Sequence, residues 1–156
     1  MFYKMIENKC NEWYNSKQYT VRNLIEYIEK TRQMRDAQVE AIKVYLFLKI
    51  GCECKSLEFL FRHGCFNSNN LNDIELSTAT REYLEENPAA TALFEYACLT
   101  NDKGGQVSEK LEKQIKKDPS SIDYAGFFRT VLYGISYIDY LFILPMGAVK
   151  TYLMAA

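Results

Sequence analysis

A single histidine, His63, stands among the 156 residues, so Ser-His-Asp or Cys-His nucleophilic machinery would have to be built on it, and nothing in the sequence orients it. Charge of one sign is equally scarce: 19 Lys and Arg against 20 Asp and Glu leave a formal net charge of -1. No global field therefore draws the chain to nucleic acid or to an anionic membrane, and such binding has to be local. The longest apolar stretches, "VYLFLKI" and "YLFILPMGAV", fall well short of the ~20 residues that cross a bilayer. No basic leader with an apolar run and a cleavage site opens the sequence, and no repeat or low-complexity segment interrupts it. Cys10, Cys52, Cys54, Cys65 and Cys98 make an odd count that suits a reducing compartment. The expectation is a cytoplasmic protein without membrane contact.

What is present is helical pattern. A hydrophobic share of 48% is enough for one ordinary core, and a single helical domain over 1–156 is expected. Phe2, Ile6, Cys10 and Trp13, with Met5, form one apolar stripe over about residues 2–16. Thr20 can cap a second helix whose face is Val21, Leu24, Ile25 and Ile28, and the two helices should pack together. From Arg35 to Ile50 the stripe of Val39, Ile42 and Leu46 widens until the helix is apolar nearly all round, and Gly51 is expected to end it in the left-handed conformation. A short helix over Leu57–Arg62 and the polar loop "NSNNLND" follow. Further helices are expected over 78–86, from Pro88 with Asn87 as its cap, over 107–117, and over 122–135 with Ser120 and Asp123 as a capping box. Only "YLFIL", 140–144, has strand character. The fold class is therefore mostly α, a multi-helix bundle-like domain with at most one short strand near the C-terminus.

Two stretches carry candidate chemistry. "LPMGAVKT", 144–151, follows the apolar "YLFIL" as a phosphate loop follows its strand. In such a loop, backbone N–H groups wrap the phosphates, a lysine reaches the outer ones, and a Ser or Thr hydroxyl holds magnesium. Gly147, Lys150 and Thr151 would fill these places. The strict pattern G-x-x-x-x-G-K-[ST] fails at Leu144 and Val149, and the β-branched valine puts bulk where the backbone should approach the phosphate. The second stretch is "MRDAQVEAIKVYL", 34–46, with Arg35, Gln38, Ala41 and Ile42 in an Arg-x-x-Gln-x-x-Ala-Ile spacing.

In this order the two stretches resemble the N-terminal region of superfamily 2 (DEAD/DEAH-type) helicases and the restriction-enzyme translocases related to them. The resemblance covers only these two pieces. It implies that Gln38, in a segment opened by Arg35, reads the adenine edge, for which a carboxamide that both donates and accepts is suited. It implies that Gly147 and Lys150 contact phosphate, that Thr151 ligates magnesium in an intact motor, and that the parent protein hydrolyses ATP and acts on DNA, in a restriction or defence setting. The interval from Gln38 to Lys150 exceeds the family's usual one, which implies a division into N-terminal helices (1–50), a helical insertion (51–135) and the start of a nucleotide-binding core (136–156). No second acidic motif is found, so the chain is expected to be a truncated piece of the motor, inactive alone and binding no ATP or magnesium by itself. Its apolar C-terminal segment is expected to allow a homodimer.

Other constellations stay open between chemistry and packing. Cys52, Cys54, His63 and Cys65 either enclose zinc or act as small buried groups beside a helix-end histidine. Lys110, Lys113, Lys116 and Lys117 either track nucleic-acid phosphates or pair with Glu109 and Glu112 on a solvated face. The rival to the motor reading is a self-standing α-helical interaction or regulatory module in which "GAVKT" binds nothing.

Overall fold

Side chains that accept a backbone N–H set most of the helix starts. Ser56, Ser77, Asn87, Ser108 and Asp123 each take the N–H of the residue three positions on, at Phe59, Thr80, Ala90, Leu111 and Gly126. The computed structural model describes residues 2–16, 22–32, 34–68, 71 and 74–132. Among them run α1 (Phe2–Asn15), α2 (Arg22–Arg32), α3 (Asp36–Leu46), α4 (Leu57–Arg62), α5 (Thr78–Glu86), α6 (Pro88–Cys98), α7 (Glu109–Lys117) and α8 (Tyr124–Val131). The described residues contain no strand, only an isolated antiparallel bridge from Thr100 to Gln106 that closes the "NDKGG" turn. The fold is mostly α, and "YLFIL" lies outside the described residues.

The described chain divides into two compact units, residues 2–6 with 56–132 and residues 7–55. In the first, α6 is central and packs against α4, α5, α7 and α8. Its Ala89, Ala90, Ala92 and Ala97 are buried with Leu93 and Phe94, and their small side chains let neighbouring helices come close. Leu60, Phe61, Leu84, Ile115 and Phe128 supply the facing surfaces. Phe61 stacks on Phe128 with ring centroids 5.6 Å apart and meets Phe2 edge-on at 4.9 Å. Two of the four lysines of α7 belong to i, i+4 ion pairs, Lys113 with Glu109 and Lys116 with Glu112. Helix α8 begins later than its sequence pattern suggests, because Asp123 alone caps it, while Pro119–Ser121 form a separate 3-10 turn.

In the second unit Ile25, Met34 and Val39 are the core, with Trp13, Tyr14, Ile28, Ile42 and Leu46 packed against them. Helix α1 meets α2 only through its last turn, where Trp13 and Tyr14 lie against the core and the Arg22 guanidinium donates to the Tyr14 carbonyl at 2.6 Å. Leu24 departs from its expected place: it is 51% exposed, because one apolar stripe centred on Ile25 and Ile28 is all this thin core accommodates. Thr20 and Val21 lie outside the described residues.

Gly51 departs too. Helix α3 runs on into a π-turn, Phe47–Gly51, and the left-handed residues come afterwards, at Glu53 (φ 53) and Cys54 (φ 57). Gly51 is there for space. A Cβ on it would lie 2.9 Å from Phe47 Cδ2 and 3.0 Å from Trp13 Nε1, in the crevice where those two rings meet.

Truncating the centre of the aromatic pile should cost far more than truncating its rim. Phe61→Ala is expected to lower stability by about 3–5 kcal/mol, and Phe59→Ala, at a partly exposed position of the same helix, by about 1 kcal/mol or less. Urea denaturation of the two variants checks the contrast.

Candidate functional site

Gln38 occupies the first turn of α3, and Arg35 is the extended residue that caps the helix. The Gln38 Oε1 accepts the Arg35 backbone N–H at 2.8 Å, which is one half of a capping box. The reciprocal half is missing for a chemical reason: an arginine side chain has no acceptor, so the Gln38 N–H turns to the Arg35 carbonyl at 2.8 Å. Gln38 is only 3% exposed, and Met34, Val39 and Ala41 beside it are buried. Its carboxamide is thus held in one plane by the helix start, while Arg35 and Asp36 face solvent.

The structure brings Arg35 and Gln38 together. Gly147, Lys150 and Thr151 lie outside the described residues, as does the apolar segment "YLFILPMGAV" on which the dimer expectation rests. No group of three His, Cys, Asp or Glu side chains that could hold a metal ion occurs among the described residues. His63 instead caps α4, its Nδ1 2.8 Å from the Phe59 carbonyl and its ring stacked on Phe59 at 3.8 Å.

Burial governs the thiols that pack in the interior. Desolvation pushes the Cys10 thiol up to about 11, with Lys43 opposing and Glu40 and Glu7 adding to the rise. Desolvation also pushes Cys98 up to about 11, aided by the Glu112 carboxylate. Both are inert packing groups at neutral pH.

A feature with no counterpart in the sequence reading lies in the larger unit, where a cavity of about 350 Å³ opens between the α4 end and the α5–α6 corner. Gly64 makes the turn below it with φ +69, and a Cβ there would meet Asn67 Nδ2 at 2.7 Å and Pro88 Cβ at 2.9 Å. Asn67 is 5% exposed and donates from Nδ2 to the Pro88 carbonyl at 3.0 Å, which fixes its amide orientation. Its Oδ1 is buried and has no hydrogen-bond partner. A buried acceptor left so costs about 1–3 kcal/mol. In sequence "HGCFNSNN" reads only as a polar turn; Phe66, buried beside Asn67, is the one available signal.

The chain matches no family model, no curated protein and no solved structure. No helix among the described residues is long and apolar enough to cross a membrane.

Gln38→Ala removes the acceptor for Arg35 N–H and should cost about 0.5–2 kcal/mol, whereas Arg35→Lys should leave the unfolding midpoint nearly unchanged; chemical denaturation measures both. The raised thiols predict a pH signature. Their folded values stand above the ordinary 9.0, so the stability they contribute is complete below pH 9 and is lost as pH climbs toward about 11. Iodoacetamide mapping at pH 8 should leave Cys10 and Cys98 unlabelled while the exposed Cys65 reacts.

Proposed function

We propose that this chain supplies the adenine-contacting segment of an ATP-dependent DNA helicase or translocase, and that it is catalytically inert without the rest of that motor. The observation that supports the reading is the position of Gln38: the Arg-x-x-Gln-x-x-Ala-Ile stretch opens a helix, and the glutamine carboxamide is fixed there by Arg35. Adenine offers an amino donor and a ring-nitrogen acceptor, and a carboxamide answers both. The cap already occupies the Gln38 Oε1 and the side chain is 3% exposed, so base contact would require this helix start to open. Gly147 and Lys150 would hold the phosphates and Thr151 the magnesium that such a motor uses. Bound ATP would supply the phosphoryl chemistry, while Gln38 would orient the base and Lys150 would neutralise phosphate charge. Val149 is the misfit, since a β-branched side chain crowds the phosphate approach.

A second reading, a helical protein-interaction module, is favoured by the exposed apolar side chains of α2, Leu24 at 51% and Tyr27 at 63%. The two readings separate on what is encoded beyond residue 156 and on nucleotide response. The motor reading expects a strand and an Asp-Glu-rich magnesium motif downstream. It also expects that a longer polypeptide with that region and Val149→Gly gains a thermal shift with magnesium and ATP, and that Gln38→Ala in the same background loses the preference for ATP over GTP. A stop codon in the native gene, or no shift in the longer Val149→Gly protein, selects the interaction module.

A further inference from the structure

We propose that the outward stripe of α7 is a docking surface for duplex DNA, which it meets at the phosphate backbone through Lys110, Lys113 and Lys117. At 3.6 residues per turn these positions fall within about 60° of arc, roughly opposite Ile115, and span about 10.5 Å of helix axis. Ile115 is fully buried and α7 packs on α6, so the helix is held and the stripe is turned to solvent. All three lysines are exposed, and so is Gln114 beside them. Among the described residues neither Lys110 nor Lys117 has an ion-pair partner. Lys113 meets Glu109 at 3.4 Å, but the two side chains are 75% and 67% exposed, and a pair so placed in water is weak enough to yield to phosphate. The other carboxylates near the stripe are engaged: Glu112 pairs with Lys116 at 2.8 Å, and Asp118 accepts from the Ser120 N–H and hydroxyl at 3.2 and 2.7 Å.

The chemistry of the stripe selects the partner. The net charge of the chain is only -1, so attraction has to come from a local array, and three ammonium groups in a row complement a regular polyanion. Lysine is a compact point charge without the planar fork that reads a base edge, so the contact is to phosphate and independent of sequence. Over the length of the stripe a duplex presents about six phosphates and a single strand about three, and the duplex is already stiff. An anionic membrane fits less well. An interfacial helix inserts an apolar face, and the apolar residues of α7 are turned inward, Leu111 half-buried and Ile115 fully buried. The surface adds a DNA contact to the motor reading but does not rest on it, since Gln38, Gly147, Lys150 and Thr151 take no part in it.

The test is fluorescence anisotropy of a short labelled duplex of mixed sequence, titrated with the whole chain at several salt concentrations. Three phosphate contacts predict a log–log slope of affinity on salt of about −2.7, and Lys110→Gln with Lys117→Gln should bring it to about −0.9 and weaken binding at low salt roughly tenfold. Lys30→Gln with Lys55→Gln removes the same charge at exposed positions of residues 7–55 and should change neither slope nor affinity. Circular dichroism is expected to show both double variants as helical as the parent. No saturable binding, a slope unchanged by the α7 double variant, equal weakening by the Lys30 and Lys55 pair, or binding to phosphatidylserine vesicles with none to the duplex overturns the proposal.

Discussion

Helix α6 has almost no solvent face. Seven of its eleven residues are buried, among them Leu93, Phe94 and Thr91, and a helix in that condition has to be wrapped on every side by others. That constraint organises the larger unit. Each of α4, α5, α7 and α8 contributes buried apolar side chains and packs on α6 as the common partner, while α4 also packs on α8 and α5 on α7. The alanines matter as much as the large side chains, since they bring neighbouring backbones near enough for Phe61 and Phe128 to close over the axis. Even the threonine is accommodated: its hydroxyl donates at 2.6 Å to the Leu84 carbonyl near the end of α5, which also accepts the Asn87 backbone N–H at 3.2 Å.

The smaller unit solves the same problem with less material, and ring packing takes the place of an all-buried helix. Trp13 and Phe47 meet at a centroid distance of 5.6 Å, and the chain must pass beside them at Gly51. The π-turn at Phe47–Gly51 shifts the register by one residue as the chain leaves α3. The exit is then made by Glu53 and Cys54, both left-handed, at a strain of roughly 1–2 kcal/mol each. A glycine at 53 or 54 would relieve that strain, and the sequence places its glycine where volume, not backbone freedom, is limiting.

This distinction explains what the sequence makes legible. Helix starts are local chemistry, so Asn87 with Pro88 and the Leu57–Arg62 helix can be read from the residues alone. Leu24 cannot, because a 3.6-residue spacing identifies a face without saying how wide the partner surface is. Nor can Gly51, whose reason is the proximity of an indole 38 positions away in sequence. The candidate nucleotide contacts divide in the same way. Arg35 and Gln38 form a local motif whose helical setting follows from spacing, whereas any approach of Gly147, Lys150 and Thr151 to Gln38 is a tertiary matter that no short pattern encodes.

Two buried carboxamides give the sharpest contrast in the molecule. Gln38 and Asn67 carry the same functional group at nearly the same depth, 3% and 5% exposed. In Gln38 the oxygen takes a backbone N–H from the residue that opens its own helix, so burial and hydrogen bonding are settled together and the side chain is rigid. In Asn67 the nitrogen is anchored on Pro88 and the oxygen is left over. An apolar side chain at position 67 would avoid that penalty but would lose the Pro88 anchor, which ties the turn after α4 to the first turn of α6. The half-satisfied amide is thus the consequence of one anchor serving the fold, and its Oδ1 is the one buried side-chain oxygen among the described residues that has no hydrogen-bond partner.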